Sequence, residues 1–297
     1  MAARAKVQNQ LMGVERNSSD GEPLLVEQVT LGPATVYALL DCCVDFFQPH
    51  AEAFPTCTES DLEEARRFDR TTSAPGAPWR LAVRAFLVSL GGRRVLVDTG
   101  GSGNGPLAAE WVSARGRLLD ALAQVSVSPS DVTDVVLTHL HRDHLANTVS
   151  SDGRLVFDAA DFHVQSAEIE SHRLGGTSAV IETLIDPLAR TGRLHTYAGR
   201  SRIAGQTGAV VTAVHTPGHT PGHQSVVVDA GDTRVVIAGD AVVHAVQVVR
   251  PEIAYSFEQD AALAAVTRER LLHELAEAGG LLATAHLGQP FIRFEQA

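Results

Sequence analysis

The stretch THLHRDH, Thr138 to His144, places His139, His141, Asp143 and His144 within six positions. Imidazole nitrogens and carboxylate oxygens are the donors that borderline divalent ions such as zinc accept. Further along, HTPGHTPGH (His215 to His223) carries three more histidines spaced four apart. Asp240 and His286 follow, each closing a short apolar run, VVIAGD and LLATAH. A divalent ion held by such groups lowers the pKa of a water toward neutrality and polarises a carbonyl or phosphoryl oxygen, so the chemistry this cluster serves is hydrolysis.

The elements that must position these residues are legible around them. DVVLT (Asp134 to Thr138) reads as a strand running straight into the cluster. In extended backbone alternate side chains share a face, so His139 and His141 can address one ion. Asp143 and His144 come after the strand, where the chain turns, and can face a second ion. AVVTAV (Ala209 to Val214) is another strand, after which Pro217 and Gly218 make a tight turn that brings His219 to the same edge. His223 reads as a histidine that orients its neighbours rather than a ligand, and His215 as structural. A carboxylate at Asp240 could bridge two ions, one oxygen to each.

Two hairpins repeat one pattern. LAVRAFLVSL-GG-RRVLVDTG ends near Asp98, and HQSVVVDA-GD-TRVVIAGD ends at Asp240, which suggests two similar halves facing each other. Helical patterns lie between them at 116–125 and 260–280, the second with Leu263, Val266, Leu271 and Leu275 on its expected apolar face. Ser60 and Glu63 form an expected capping box for a helix running to Asp69, and 71–78 reads as a loop. Strands mixed with helices make the chain α/β, with helices on the outer faces of its sheets. Residues 1–24 read as a flexible lead and 25–297 as one domain.

Composition narrows the function. The chain has 297 residues, 24 Lys plus Arg against 35 Asp plus Glu, and a net charge of −11. Nucleic-acid binding needs clustered basic residues to neutralise phosphates, so it is not expected. No apolar run reaches membrane-spanning length, and the polar N-terminus has no signal-peptide core. Three cysteines, Cys42, Cys43 and Cys57, suggest neither a disulfide framework nor a zinc knuckle. The expectation is a soluble cytoplasmic protein.

Taken in order, Asp98, His139/His141/Asp143/His144, His219, Asp240 and His286 resemble the metallo-β-lactamase-fold hydrolases over residues 80 to 290. The resemblance implies a four-layer αββα sandwich with two divalent ions at one edge. It implies that His139, His141 and His219 hold one ion, that Asp143, His144 and His286 hold the other, that Asp240 bridges them, and that Asp98 orients the cluster. Zn2+ is the first expectation, with Mn2+, Fe2+ and Co2+ compatible with the same donors. Asp143, a ligand with a free oxygen, is the candidate to carry a proton to the leaving group.

Within the family, Asp240 argues against the true β-lactamases, and His141 against the diiron oxygen-reducing branch, which has Glu there. Only eleven residues follow His286, which argues against glyoxalase-II-type thioesterases and their C-terminal helical region. The chain is most similar to the branch of N-acyl homoserine lactonases and methyl-parathion-hydrolase-like enzymes. It departs from those lactonases in lacking a tyrosine shortly after the bridging aspartate, where Val243 and His244 stand, with Tyr255 further off. His244 either assists the substrate's carbonyl or is a core histidine. Phe46, Phe47, Phe54 and Trp79 either form an apolar lip over the ions, in a segment 25–80 that extends the fold, or pack as core or dimer contact. The expected partner is a small-molecule lactone, ester or organophosphate, with a homodimer compatible.

Overall fold

The computed structural model describes residues 24–69, 71–72, 78–176 and 178–294. The expected N-terminal lead therefore falls outside the described residues except for Leu24, as do positions 73–77 of the expected loop. Two sheets form the body. The first runs in the order β1 (Val26–Leu31), β2 (Ala34–Asp45), β3 (Arg80–Leu90), β4 (Arg93–Val97), β5 (Asp134–Val136), β6 (Asp161–Gln165) and β7 (Leu194–Tyr197). The second contains β8 (Arg200–Gln206), β9 (Ala209–His215), β10 (Gln224–Ala230), β11 (Thr233–Ile237), β12 (Leu281–Ala283) and β13 (Phe291–Arg293), again neighbours in sequence order.

The strands alternate as period-two elements must. Val226 and Val228 face the core between the sheets, where they meet Phe86, Val88, Val95 and Val97 of the first sheet. Val227, between them, faces the opposite way. A second core lies outside the first sheet, where Leu87, Leu96 and Val135 pack against Leu118, Leu122 and Ile169 of the helices Leu118–Gln124 and Ser166–Leu174. A third lies outside the second sheet, beneath helix Ala261–Ala278. Three cores between four layers are the expected αββα sandwich.

The two hairpins appear as read. β3 pairs with β4 across Gly91–Gly92, and β10 with β11 across Gly231–Asp232. Each second strand then takes a parallel neighbour, β5 beside β4 and β12 beside β11. Parallel pairing sets carboxyl ends side by side, the edge at which open α/β sheets build their sites. The ends of β4 and β5 carry Asp98 and the His139–His144 cluster. Those of β11 and β12 carry Asp240 and His286.

Three local expectations are corrected. The capping box lies two residues earlier, with Thr58 and Asp61 reciprocally bonded at the start of helix Glu59–Ala65, so Ser60 and Glu63 do not form it and the helix stops short of Asp69. In helix Ala261–Ala278, Leu263 and Val266 are 40% and 63% exposed, so they are not on its core face. The buried face is Ala264, Thr267, Arg268, Leu271, Leu272 and Leu275. It is rotated because Arg268 turns inward, donating to the carbonyls of Ala241 and Pro251 and pairing with Glu258. A buried cation paired and hydrogen-bonded in this way makes a core face look polar in sequence. No helix among the described residues is long and apolar enough to cross a membrane.

Candidate metal centre

The side chains at these strand ends converge in two groups: His139, His141, His219 and Asp240, and Asp143, His144 and His286. Asp240 faces both. Its Oδ2 lies 3.2 Å from His219 Nε2 and 3.9 Å from His139 Nε2. Its Oδ1 lies 3.1 Å from both His144 Nε2 and His286 Nε2. Within the groups, His219 Nε2 and His141 Nδ1 are 3.0 Å apart, and His286 Nε2 and His144 Nε2 are 3.3 Å apart. Asp143 Oδ2 stands 3.7 Å from the Nε2 atoms of His144 and His286. Donors at bond lengths of about 2.0–2.1 Å in a tetrahedral site stand about 3.3 Å apart, so this spacing fits divalent ions.

Satisfaction points the same way. His139 Nε2 and Asp240 Oδ1, which face the cluster, are buried with no hydrogen-bond partner among the described residues, a state that costs free energy unless something else fills it. Burial and neighbouring histidines hold His139 well below its ordinary pKa, and burial does the same to His219 against the pull of Asp240, so both stay neutral donors. At His144 burial works against the charge, but the carboxylates of Asp240, Asp98 and Asp143 outweigh it and raise its pKa. Burial likewise opposes ionisation of Asp240, and His144, His286 and His219 overcome it. The acidic side of the cluster demands positive charge, which a divalent ion supplies.

Other residues aim the donors. Asp98 Oδ2 takes the Nδ1–H of His144 at 2.8 Å, leaving Nε2 toward the centre, and its Oδ1 accepts the Thr138 backbone N–H, also at 2.8 Å. His286 Nδ1 donates to the Ala82 carbonyl at 2.8 Å, which fixes its tautomer in the same sense. Buried Arg84 donates to the carbonyls of Leu287 and Gly288 and holds the turn after His286. His223 points its Nδ1 at the Thr216 carbonyl, 3.0 Å away, while its Nε2 accepts the Asp240 backbone N–H at 2.9 Å. With both nitrogens engaged it positions Asp240 and offers no lone pair to an ion. His215 points away, its Nε2 2.8 Å from the Pro221 carbonyl. Gly218 is required at φ +135°, since a Cβ there would lie 2.3 Å from the Ala264 backbone.

Sequence reasoning missed several contributors. Glu168, 1% exposed, accepts the Leu140 N–H at 2.9 Å, the Thr220 hydroxyl at 2.6 Å and the Gly222 N–H at 3.1 Å. It ties the loop of His139 and His141 to the loop of His219, yet in sequence it is one acid among several in a helix. Asp41 accepts the backbone N–H groups of Gly101, Ser102, Arg117 and Leu118 at 2.9 to 3.2 Å. It thereby fastens both ends of the loop that carries Trp111 and Val112, and a Cβ on Gly101 would touch both Val112 and Asp143. Tyr255 stacks on His219, with centroids 6.2 Å apart and planes 8° apart. Only its distance in sequence from Asp240 hid it.

The expected lip divides in two. Phe54 and Trp79 are 0% and 2% exposed, packed in the outer core with Tyr255 and His244, so they pack as core rather than lip. Phe46 is buried with them, against Trp79, and only Phe47, 54% exposed, reaches the surface; Phe46 and Phe47 both contact Trp111 and Phe257. His244 accepts the Val246 N–H at its Nδ1 and faces His50 Nε2 at 3.3 Å, buried among these rings.

Comparison with known proteins follows this geometry. The profile of the metallo-beta-lactamase superfamily matches residues 78–276. A mouse protein, metallo-beta-lactamase domain-containing protein 1, is 53% identical over 53 residues, 18% of this chain but only 16% of that protein's length. The solved structure of AbOPH, a hydrolase in the beta lactamase superfamily, superposes with a TM-score of 0.72 at 25% identity, covering 92% of this chain and 97% of that one. AidC, a dizinc quorum-quenching lactonase in complex with a homoserine product, gives 0.70 at 22%, covering 92% and 94%. With the profile covering most of the chain and the sandwich and edge cluster in place, this protein belongs to the metallo-beta-lactamase superfamily.

Proposed function

We propose that the protein is a dinuclear-metal hydrolase acting on lactones or related esters. In this reading His139, His141 and His219 hold one ion, Asp143, His144 and His286 hold the other, and Asp240 is shared, with Zn2+ as the first expected metal. The observation that carries it is Asp240, whose two oxygens address two separate donor groups. The fold shared with a dizinc lactonase supports it.

Two bound ions would lower the pKa of a water and polarise the electrophile. The chain's own residues supply the rest. Asp143, whose side chain is 15% exposed beside fully buried histidines, can be reached from the substrate side. It takes the proton released as the new C–O bond forms and returns it to the oxygen that departs when the ring C–O bond breaks. To Tyr255 we assign the role of the tyrosine that the similar lactonases carry shortly after the bridging aspartate and that this chain lacks there. Its ring lies over His219, its hydroxyl has no hydrogen-bond partner among the described residues, and burial raises its pKa, so it remains a protonated donor to the carbonyl oxygen. Phe47, Trp111 and Phe257, backed by buried Phe46, give an apolar wall for an uncharged substituent.

That same wall favours a second reading, cleavage of aryl esters or aryl phosphotriesters, because aromatic rings stack on an aryl leaving group. Proton release on a medium-chain acyl homoserine lactone, an aryl ester and an aryl phosphotriester separates the two. Ring opening that returns only when metal-stripped protein is reloaded supports the lactonase reading. Turnover confined to the aryl substrates moves the assignment to the second, and no turnover of any of the three by reloaded protein contradicts both.

A further inference from the structure

A cleft of about 290 Å3 lies on the outer face of the second sheet, between β8–β11 and the second half of helix Ala261–Ala278. Its floor is apolar: Val214, Val227 and Val236 from the sheet, with Leu271 and Leu275 from the helix. Thr216 and Ser225 also line it, but their hydroxyls are committed inward. Thr216 Oγ1 lies 2.9 Å from His223 Nδ1 and from Ser225 Oγ, and Ser225 donates to the Ala238 carbonyl at 3.0 Å. The floor therefore presents carbon rather than free donors.

The rim is basic in a chain of net charge −11. Arg200, Arg234 and Arg270 stand around it, with Glu274 the one acidic lining residue. Arg234 is held by Asp229 at 2.6 Å. Arg200 and Arg270 are exposed and have no ion pair among the described residues. Two unpaired guanidinium forks over an apolar floor match one kind of ligand, a planar anion on a hydrocarbon body.

We propose that this cleft binds a small amphipathic carboxylate, its head on Arg200 and Arg270 and its chain over Val214, Val227 and Leu271. About ten water-sized units of space, at roughly 30 Å3 each, admit a carboxylate of about eight carbons. The site is independent of whatever substrate the metal centre takes.

The test is calorimetric titration of octanoate, with octanol as the neutral comparison, into zinc-loaded protein, metal-stripped protein and the R200Q/R270Q variant. Both side chains are exposed, so the variant folds, which its melting temperature checks. The expected result is saturable octanoate binding with Kd below about 1 mM, at least about tenfold weaker for octanol and for the variant, and unchanged by metal removal. Absence of saturable binding overturns the proposal. So does binding indifferent to the two arginines, or binding lost with the metal, which would assign octanoate to the metal centre.

Discussion

Asp98 grips His144: its Oδ2 lies 2.8 Å from the imidazole Nδ1, and the aspartate itself sits at φ +60°, a strained backbone for a residue with a Cβ. The strain is retained because one carboxylate fastens the turn after β4 to the segment after β5, taking the Thr138 N–H and hydroxyl as well as the His144 Nδ1–H. Asp98→Ala is expected to weaken zinc binding by roughly 10- to 100-fold, the usual effect of removing a carboxylate behind a ligating histidine. Competition with a chromophoric chelator measures it, and an unchanged affinity would remove Asp98 from the positioning role.

Glu168 predicts a stability effect. Glu168→Ala strands two backbone N–H groups, of Leu140 and Gly222, in a buried place. The expected loss is about 2–6 kcal/mol, from about 1–3 kcal/mol per unsatisfied group. Urea unfolding at fixed metal content reads it. Glu168→Gln, which keeps an acceptor, should recover part of the loss.

Acid sensitivity is expected from His50 and His244. Burial pushes His50 down to about 4, and burial together with His50 holds His244 well below its ordinary value. Both titrate near 6.5 when unfolded. Below that pH the unfolded chain gains protons that the folded one refuses. The stability these residues support is therefore fully present above pH ~6.5 and is lost as pH falls toward ~4. His50→Phe, beside Phe54 and Trp79, should make the fall in urea midpoint between pH 7 and pH 5 shallower than in the unsubstituted protein. An equal or steeper fall would show that the pair is not responsible.

Tyr255→Phe removes the hydroxyl and keeps the ring stacked on His219. The expected outcome on a lactone is a fall in kcat of about tenfold or more with KM little changed, the pattern of an interaction strengthened only in the transition state. A raised KM with kcat intact would make Tyr255 a binding residue instead.

What the sequence made legible follows from physics that acts locally. Donor residues placed directly after apolar strands, as His139 is after β5 and Asp240 after β11, announce both the edge and its chemistry. The paired hairpins could be read because Gly91–Gly92 and Gly231–Asp232 mark their turns. Residues that act across long separations left no such mark. Glu168 reaches Leu140 and Thr220, Asp41 reaches Gly101 and Leu118, and Tyr255 meets His219 only through the packing of the whole outer core. The rotated face of helix Ala261–Ala278 was hidden by Arg268, whose burial depends on carbonyls that no window around it contains.

The most direct test is a metal titration that follows stoichiometry and turnover together, on stripped protein and on Asp240→Ala. The account predicts two divalent ions per chain, hydrolysis that rises with the second equivalent, and a variant that fails to hold both. A single ion at full activity, or hydrolysis by stripped protein, would contradict it.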